Sequence, residues 1–401
     1  MDPSDFIARE SRHLAQNYKP LPVVLARGEG VWVWDVSGKR YLDFLGAYSA
    51  ASFGHLHPRI VGALTDQLSR LDVTSRAFYS DSLGAFAERL CAVSGMDALL
   101  PMNTGAEAVE TAIKAARRWG SDVKGIPEGQ VRIIVAENNF HGRTTTIVGF
   151  SSEPSYRRGF GPFDGGFDSI PFGDADALRA AIGPATAAFL VEPIQGEGGI
   201  ILPPPGWFKE VQAICREQNV LLILDEIQTG MGRTGRNFAF EHEIDPPDAL
   251  LLGKALGGGI YPVSAFLARR DVMDAFTPGS HGSTFGGNPV ACAIGLAALD
   301  LLEEEGLAAR AAELGDYLQA GLRAIGSPLV REVRGKGLLI GMEIVPQIPA
   351  RKVCEALMAR GLLCKETHET VVRFAPPLVI TRDQIDGALA DIRAALGGLS
   401  G

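Results

Sequence analysis

The chain has 401 residues, 46% of them hydrophobic, which is ample for a large core and two domains. A formal charge of −9 and a pI near 5.4 argue against nucleic acid or an anionic membrane surface as partner. Five cysteines (Cys91, Cys215, Cys292, Cys354, Cys364), without C-x-x-C spacing, fit reduced thiols in a cytoplasmic protein better than a disulfide frame or a zinc site, and neither a leader peptide nor a membrane-length apolar run is expected.

Residues 1–45 predict a short helix, a connector at Lys19-Pro20-Leu21-Pro22, and two strands, 31–35 and 40–44, around a turn at Val36-Ser37-Gly38. Tyr18 and Tyr48 stand at the edges of this region, where core packing is their plainest use. His55-Leu56-His57 has the spacing of a metal pair, but followed by Pro58 it reads as a turn. Residues 58–71 predict a helix with Ile60, Leu64, Leu68 and Leu71 along one face.

At Thr104-Gly105-Ala106-Glu107 a capping box opens an amphipathic helix to about Trp119, and the free amides at such an end make a cradle for a phosphate. Residues 131–137 predict a strand that runs into Asn139-Phe140-His141-Gly142-Arg143. Residues 152–166, rich in glycine and proline, predict a long loop. The strand at 189–191 empties Glu192 and Glu197 at its end; buried carboxylates need partners, and arginines are the natural ones.

The apolar run 220–224 is long enough for a buried strand and ends on Asp225-Glu226-Ile227-Gln228-Thr229-Gly230. Gly230-Met231-Gly232-Arg233-Thr234-Gly235 formally fits the dinucleotide pattern, but polar residues separate it from its strand and no helix follows, so that reading is rejected. A second run, 249–252, delivers Gly253 and Lys254. A strand at 263–268 follows, then His281-Gly282-Ser283-Thr284, and a helix from Asn288-Pro289 to about Glu304. From 307 on, helices alternate with short strands near 337–344 and 370–374; the last carries Arg373.

Two buried strands therefore end in a carboxylate, Asp225, and an amine, Lys254, and in open α/β sheets ligands sit at the carboxyl ends of strands. Either residue alone is an ordinary turn aspartate or loop lysine. The run from Asp225 to Gly230 followed by Leu252-Gly253-Lys254, however, resembles the pyridoxal-phosphate-dependent aminotransferases of class III, fold type I. The resemblance implies an α/β fold: a large domain with a mostly parallel sheet flanked by helices (51–306), plus a smaller α/β domain from the N- and C-terminal parts (1–50 and 307–401). It implies pyridoxal 5'-phosphate as cofactor and no metal. Lys254 would hold it as a Schiff base and shuttle protons, Asp225 would keep the pyridine nitrogen protonated, and Gln228 would bond the ring 3-oxygen. Phe140 and His141 would lie against the ring, Gly105 and Ala106 against the phosphate, and Thr284 would reach the phosphate of a neighbouring subunit, giving a homodimer, or a higher oligomer built on it, with shared active sites.

Within the class, Asn17-Tyr18-Lys19-Pro20-Leu21-Pro22-Val23, Ala47-Tyr48-Ser49-Ala50 and residues 71–79 and 253–264 are most similar to the members that take the δ-amine of L-ornithine and pass it to 2-oxoglutarate. That resemblance implies that Arg143 holds the α-carboxylate of the donor and Tyr18 its α-amine, while Tyr48 closes the pocket. Arg373 would bind the α-carboxylate of 2-oxoglutarate, with Glu197 masking it during the donor half-reaction. It also implies cytoplasmic location and a place in proline biosynthesis or arginine degradation. N-acetylornithine or another ω-amino acid as donor, a different reaction on the same cofactor, and a non-catalytic paralogue remain as alternatives, the last predicting a broken lysine, aspartate or arginine that is not seen.

Overall fold

The computed structural model describes residues 2–399. Three short strands come first, β1 (Leu25–Glu29), β2 (Trp32–Asp35) and β3 (Arg40–Asp43). The middle of the chain supplies β4 (Ala98–Met102), β5 (Arg132–Ala136), β6 (Phe167–Ile170), β7 (Thr186–Val191), β8 (Leu221–Asp225), β9 (Ala249–Leu252) and β10 (Ser264–Ala268). The last part adds β11 (Val330–Lys336), β12 (Leu339–Ile344), β13 (Leu362–Leu363), β14 (Lys365–Thr367) and β15 (Val371–Phe374).

The middle strands form one seven-stranded sheet in the order β4-β10-β9-β8-β7-β5-β6. The pairs from β9 through β8, β7 and β5 to β6 are parallel, and only β10 runs against its neighbours β9 and β4. Strands β7 to β10 are buried at every residue, as a parallel sheet covered on both faces requires, and this is why their sequences read as unbroken apolar runs. Period-two alternation divides them between two cores. Leu221, Ile223, Ala249 and Leu251 pack with Val109, Ala112, Ile113 and Trp119 of the helix Gly105–Asp122. Leu222, Leu224, Leu250 and Leu252 pack with Trp207, Val211 and Ile214 of the helix Trp207–Glu217.

The N- and C-terminal parts meet in a second sheet, β1-β2-β3-β13, where β13 lies parallel to β3 with Leu362 opposite Leu42. A third sheet, β11-β12-β15-β14, is antiparallel and carries Arg373 in β15. The helix expected at 58–71 ends at Leu68, and Leu68 and Leu71 are exposed rather than on a buried face. The loop expected at 152–166 contains a short helix, Pro154–Arg157, because Glu153 accepts from the amide of Ser155 and Pro154 fits the first helical position. His55 and His57 serve different partners: His57 Nδ1 accepts from Arg59 N at 3.3 Å, while His55 Nε2 lies 2.8 Å from Asp43. In the rejected dinucleotide loop, Arg233 is fully buried and gives its guanidinium to the carbonyls of Leu338 (3.0 Å) and Pro376 (2.6 Å). The loop thus ties the large sheet to the C-terminal part. Burial pushes the Arg233 pKa down to about 9, against the pull of Asp43.

Candidate active site

Strands β5, β7, β8 and β9 are parallel, and β4 shares their direction because β10 runs against both it and β9. All five therefore end on one edge of the sheet, which brings residues 104–106, 140–141, 192–197, 225–228 and 254 together although they are far apart in sequence. They enclose a cavity of about 220 Å³ lined by Gly105, Ala106, Phe140, His141, Glu192, Glu197, Asp225, Gln228 and Lys254, among others.

Asp225, 5% exposed, places Oδ2 2.6 Å from His141 Nδ1, and its Oδ1 accepts from Ile227 N at 3.1 Å. Burial disfavours charge on His141, but the hydrogen bond and charge of Asp225, with Glu192 adding, hold its pKa above the usual imidazole value. His141 Nε2 has no partner among the described residues. Glu192 is pushed up to about 7, first by burial and then by Asp225, against the nearby His141 and the amides of Phe140 (3.0 Å) and Gly196 (3.2 Å). The expectation that arginines pair with the carboxylates after β7 holds for Glu197 and fails for Glu192, whose oxygens are turned to backbone amides.

Lys254 follows Gly253 in the left-handed region (φ 44°) at the start of a 3₁₀ turn, Lys254–Gly257. Burial lowers its pKa, and Glu197, Asp225 and Glu192 oppose that shift while Arg373 adds to it. Gln228 is buried, with its Oε1 unpartnered among the described residues, and it lies so close to Gly196 that a Cβ there would stand 1.9 Å from Oε1. Glu197 Oε1 meets Arg373 Nη1 at 2.5 Å; burial raises the Glu197 pKa, but Arg373, Lys254 and Gln228 together bring it below the usual range.

The capping box is present: Thr104 Oγ1 accepts from Glu107 N, and the Glu107 carboxylate accepts from Thr104 N at 2.7 Å. The helix runs to Asp122, one turn past the expected end. The amides of Gly105 and Ala106 precede any helical acceptor, and both residues line the cavity. Phe140 is half-buried and edge-on to Tyr156 at 6.1 Å. Arg143 is exposed and lies over the rings of Tyr156 (4.1 Å) and Phe140 (5.4 Å), with no ion pair among the described residues. Tyr48 sets its ring 4.8 Å from the Arg373 guanidinium. It shares a cavity of about 360 Å³ with Tyr18, which is 69% exposed. Thr284 is exposed and does not line the cavity that holds Lys254. Sequence reasoning missed Asp43, His55, Ser52 and Arg233 near Tyr48, since Asp43 reads as a strand residue and His55 and Arg233 as turn or loop residues until the fold brings them together.

The cavity suits a flat, anionic, carbonyl-bearing cofactor. It offers an amine, free amides at a helix N-terminus, a carboxylate fixed by an imidazole, and an unpartnered buried amide oxygen on Gln228.

The family described as Aminotransferase class-III matches residues 13–396. Over 382 residues the chain is 56% identical to the ornithine aminotransferase of Brevibacillus brevis, covering 95% of each chain. Its structure superposes on the ornithine aminotransferase of Toxoplasma gondii with a TM-score of 0.98 at 45% identity, over 100% of this chain and 96% of that one. It superposes on the acetylornithine aminotransferase of Elizabethkingia anophelis with a TM-score of 0.90 at 46% identity, over 99% and 100%.

Proposed function

The chain belongs to the class III aminotransferases, which use pyridoxal phosphate, and on that premise we propose that it is an ornithine δ-aminotransferase. It converts L-ornithine and 2-oxoglutarate to L-glutamate 5-semialdehyde, which cyclises to pyrroline-5-carboxylate, and L-glutamate. The two half-reactions alternate in a ping-pong order.

The observation that carries the reading is one masked and one unmasked guanidinium at the same site. Arg373 is closed by Glu197, while Arg143 lies over the rings of Phe140 and Tyr156 and makes no ion pair among the described residues. A donor with one carboxylate and two amines needs a single arginine, here Arg143, with Tyr18 taking the α-amine and the δ-amine left at the reacting end. A dicarboxylic acceptor needs two, so Glu197 must release Arg373. A planar guanidinium–carboxylate pair supports such an exchange, because either partner can be replaced by a carboxylate of the same geometry. Tyr48, against Arg373, closes a pocket that enzymes acting on N-acetylornithine or γ-aminobutyrate leave to a smaller or aliphatic residue.

When bound, pyridoxal phosphate supplies an electron sink for carbanion chemistry at the carbon bearing the amine. Lys254 would hold the cofactor and, once freed, carry the proton on Nζ; burial favours the neutral amine that this requires. Asp225, oriented by His141, would pair with the ring nitrogen and keep it protonated. Gln228 would bond the ring 3-oxygen, Phe140 and His141 would lie against the ring, and Gly105 and Ala106 would receive the phosphate, all of them lining the same cavity.

The reading includes a homodimer with shared sites. Thr284 is exposed, and Phe78 (73% exposed) and Tyr79 (103%) line a groove of about 800 Å³ with residues 282 and 283. A second copy seated there would cover these rings and bring Thr284 to the other cavity's phosphate. Five unpaired cysteines, four of them buried, support a reducing cytoplasm, and the substrates a place in proline biosynthesis or arginine degradation. Among the described residues no helix is long and apolar enough to cross a membrane. The domain division 1–50, 51–306 and 307–401 belongs to the same proposal, supported by the pairing of β13 with β3.

The donor is tested by mixing the holoenzyme with each amine alone and following the cofactor's visible absorbance. L-ornithine should bleach it faster than N-acetylornithine or γ-aminobutyrate. Faster bleaching with N-acetylornithine would establish the second reading, which the similarity to the Elizabethkingia enzyme keeps in view.

A further inference from the structure

The turn that carries Tyr48 is backbone that ordinary residues avoid. Gly46, Ala47, Tyr48 and Ser49 have φ of 54°, 47°, 59° and 73°, so the segment is one turn of left-handed helix with a single glycine in it. In that region an L-residue's Cβ crowds the following carbonyl, and three consecutive non-glycines persist only if their surroundings hold them. At Gly46 a side chain is excluded outright, since a Cβ would stand 2.7 Å from Ala375 O.

Both ends of the turn are held. Asp43, 7% exposed, accepts with Oδ1 from the amides of Leu45 (3.0 Å) and Gly46 (2.9 Å), while its Oδ2 lies 2.8 Å from His55 Nε2. At the other end Ser52 Oγ donates to Ser49 O at 2.8 Å and accepts from Arg233 Nη2 at 2.8 Å. The turn so fixed delivers the Tyr48 ring to Arg373. A right-handed turn of the same residues would send that side chain elsewhere, because the direction of Cβ follows the backbone.

We propose that Asp43, held by His55, is a positioning residue for donor selectivity: it locks the left-handed turn that keeps Tyr48 closed over Arg373. This rests on the reading of Tyr48 as the residue that shuts the pocket. Asp43 spends its oxygens on two backbone amides and an imidazole, so its effect on the donor passes through Tyr48.

The test is the ratio of kcat/KM for L-ornithine to that for N-acetylornithine, measured in Asp43→Ala, His55→Ala, Tyr48→Ala and the doubles with Tyr48→Ala. Asp43→Ala should lower the ratio at least tenfold and His55→Ala less, and neither should lower it further once Tyr48 is alanine. Adding Ala47→Gly to Asp43→Ala should recover part of the ratio, since glycine adopts the left-handed region freely. If Asp43→Ala does not fold, His55→Ala, which keeps both backbone bonds, carries the same comparison. An unchanged ratio in the folded single variants, or an equal fall when Tyr48 is already alanine, overturns the inference. A ratio that Tyr48→Ala itself leaves unmoved overturns the underlying reading and the inference with it.

Discussion

Glu192 shows at the scale of one residue what burial costs at this site. Its folded pKa of about 7 lies above the ordinary 4.5, so the native apoprotein binds more protons than the unfolded chain between those values. The stability tied to Glu192 is complete below pH 4.5 and is lost as pH rises through 7, by an amount on the order of 3 kcal/mol. Replacement by glutamine removes one backbone hydrogen bond at every pH but also removes the titration. Urea unfolding of the two apoproteins at pH 5 and pH 8 should therefore show a smaller fall for Glu192→Gln, and equal falls would count against the raised value. Asp225 and Lys254 were legible in the sequence because each ends an apolar run. Glu192 was legible as a carboxylate needing partners; the amide of Gly196 is local, but that of Phe140 sits in a loop that only the sheet order brings near.

Among the elements, the helix Gly105–Asp122 joins stability to the phosphate cradle proposed above. Its capping box satisfies amides at both ends of the first turn, which leaves those of Gly105 and Ala106 for a phosphate. Thr104→Ala should cost about 1 kcal/mol of cap stability and loosen the cradle. Titration of the apoprotein with pyridoxal phosphate should show a dissociation constant raised a few-fold, and an unchanged constant would mean the cap does not shape the cradle. The box could be read directly from Thr104 and Glu107, since capping is local chemistry. The left-handed turn at 46–49 could not, because three of its four residues prefer other conformations and only Asp43, His55, Ser52 and Arg233 impose it.

For the whole molecule, the prediction concerns the second copy of the proposed homodimer. Tyr79→Glu places a charge on the fully exposed ring position of the groove and should shift the protein toward monomer in sedimentation velocity, with weaker cofactor binding. Thr284→Ala should stay dimeric and lose only cofactor affinity. A monomeric variant that binds the cofactor as tightly as the parent would show that the sites are not shared.

By itself the sequence determined the most buried strands (β5, β7, β8, β9 and β10), the capped helix, the placement of Asp225 and Lys254 after apolar runs, and the α/β class. These follow from apolar periodicity and from chemistry within a few neighbouring positions. Only the tertiary structure decided that His141 meets Asp225 and Asp43 the turn beneath Tyr48, and it supplied the contact between Glu197 and Arg373 that the resemblance had implied. Such pairs depend on strand order, with β8 between β7 and β9 and β15 brought up from the far end of the chain. No local pattern encodes that order, because it is set by which buried faces fit together.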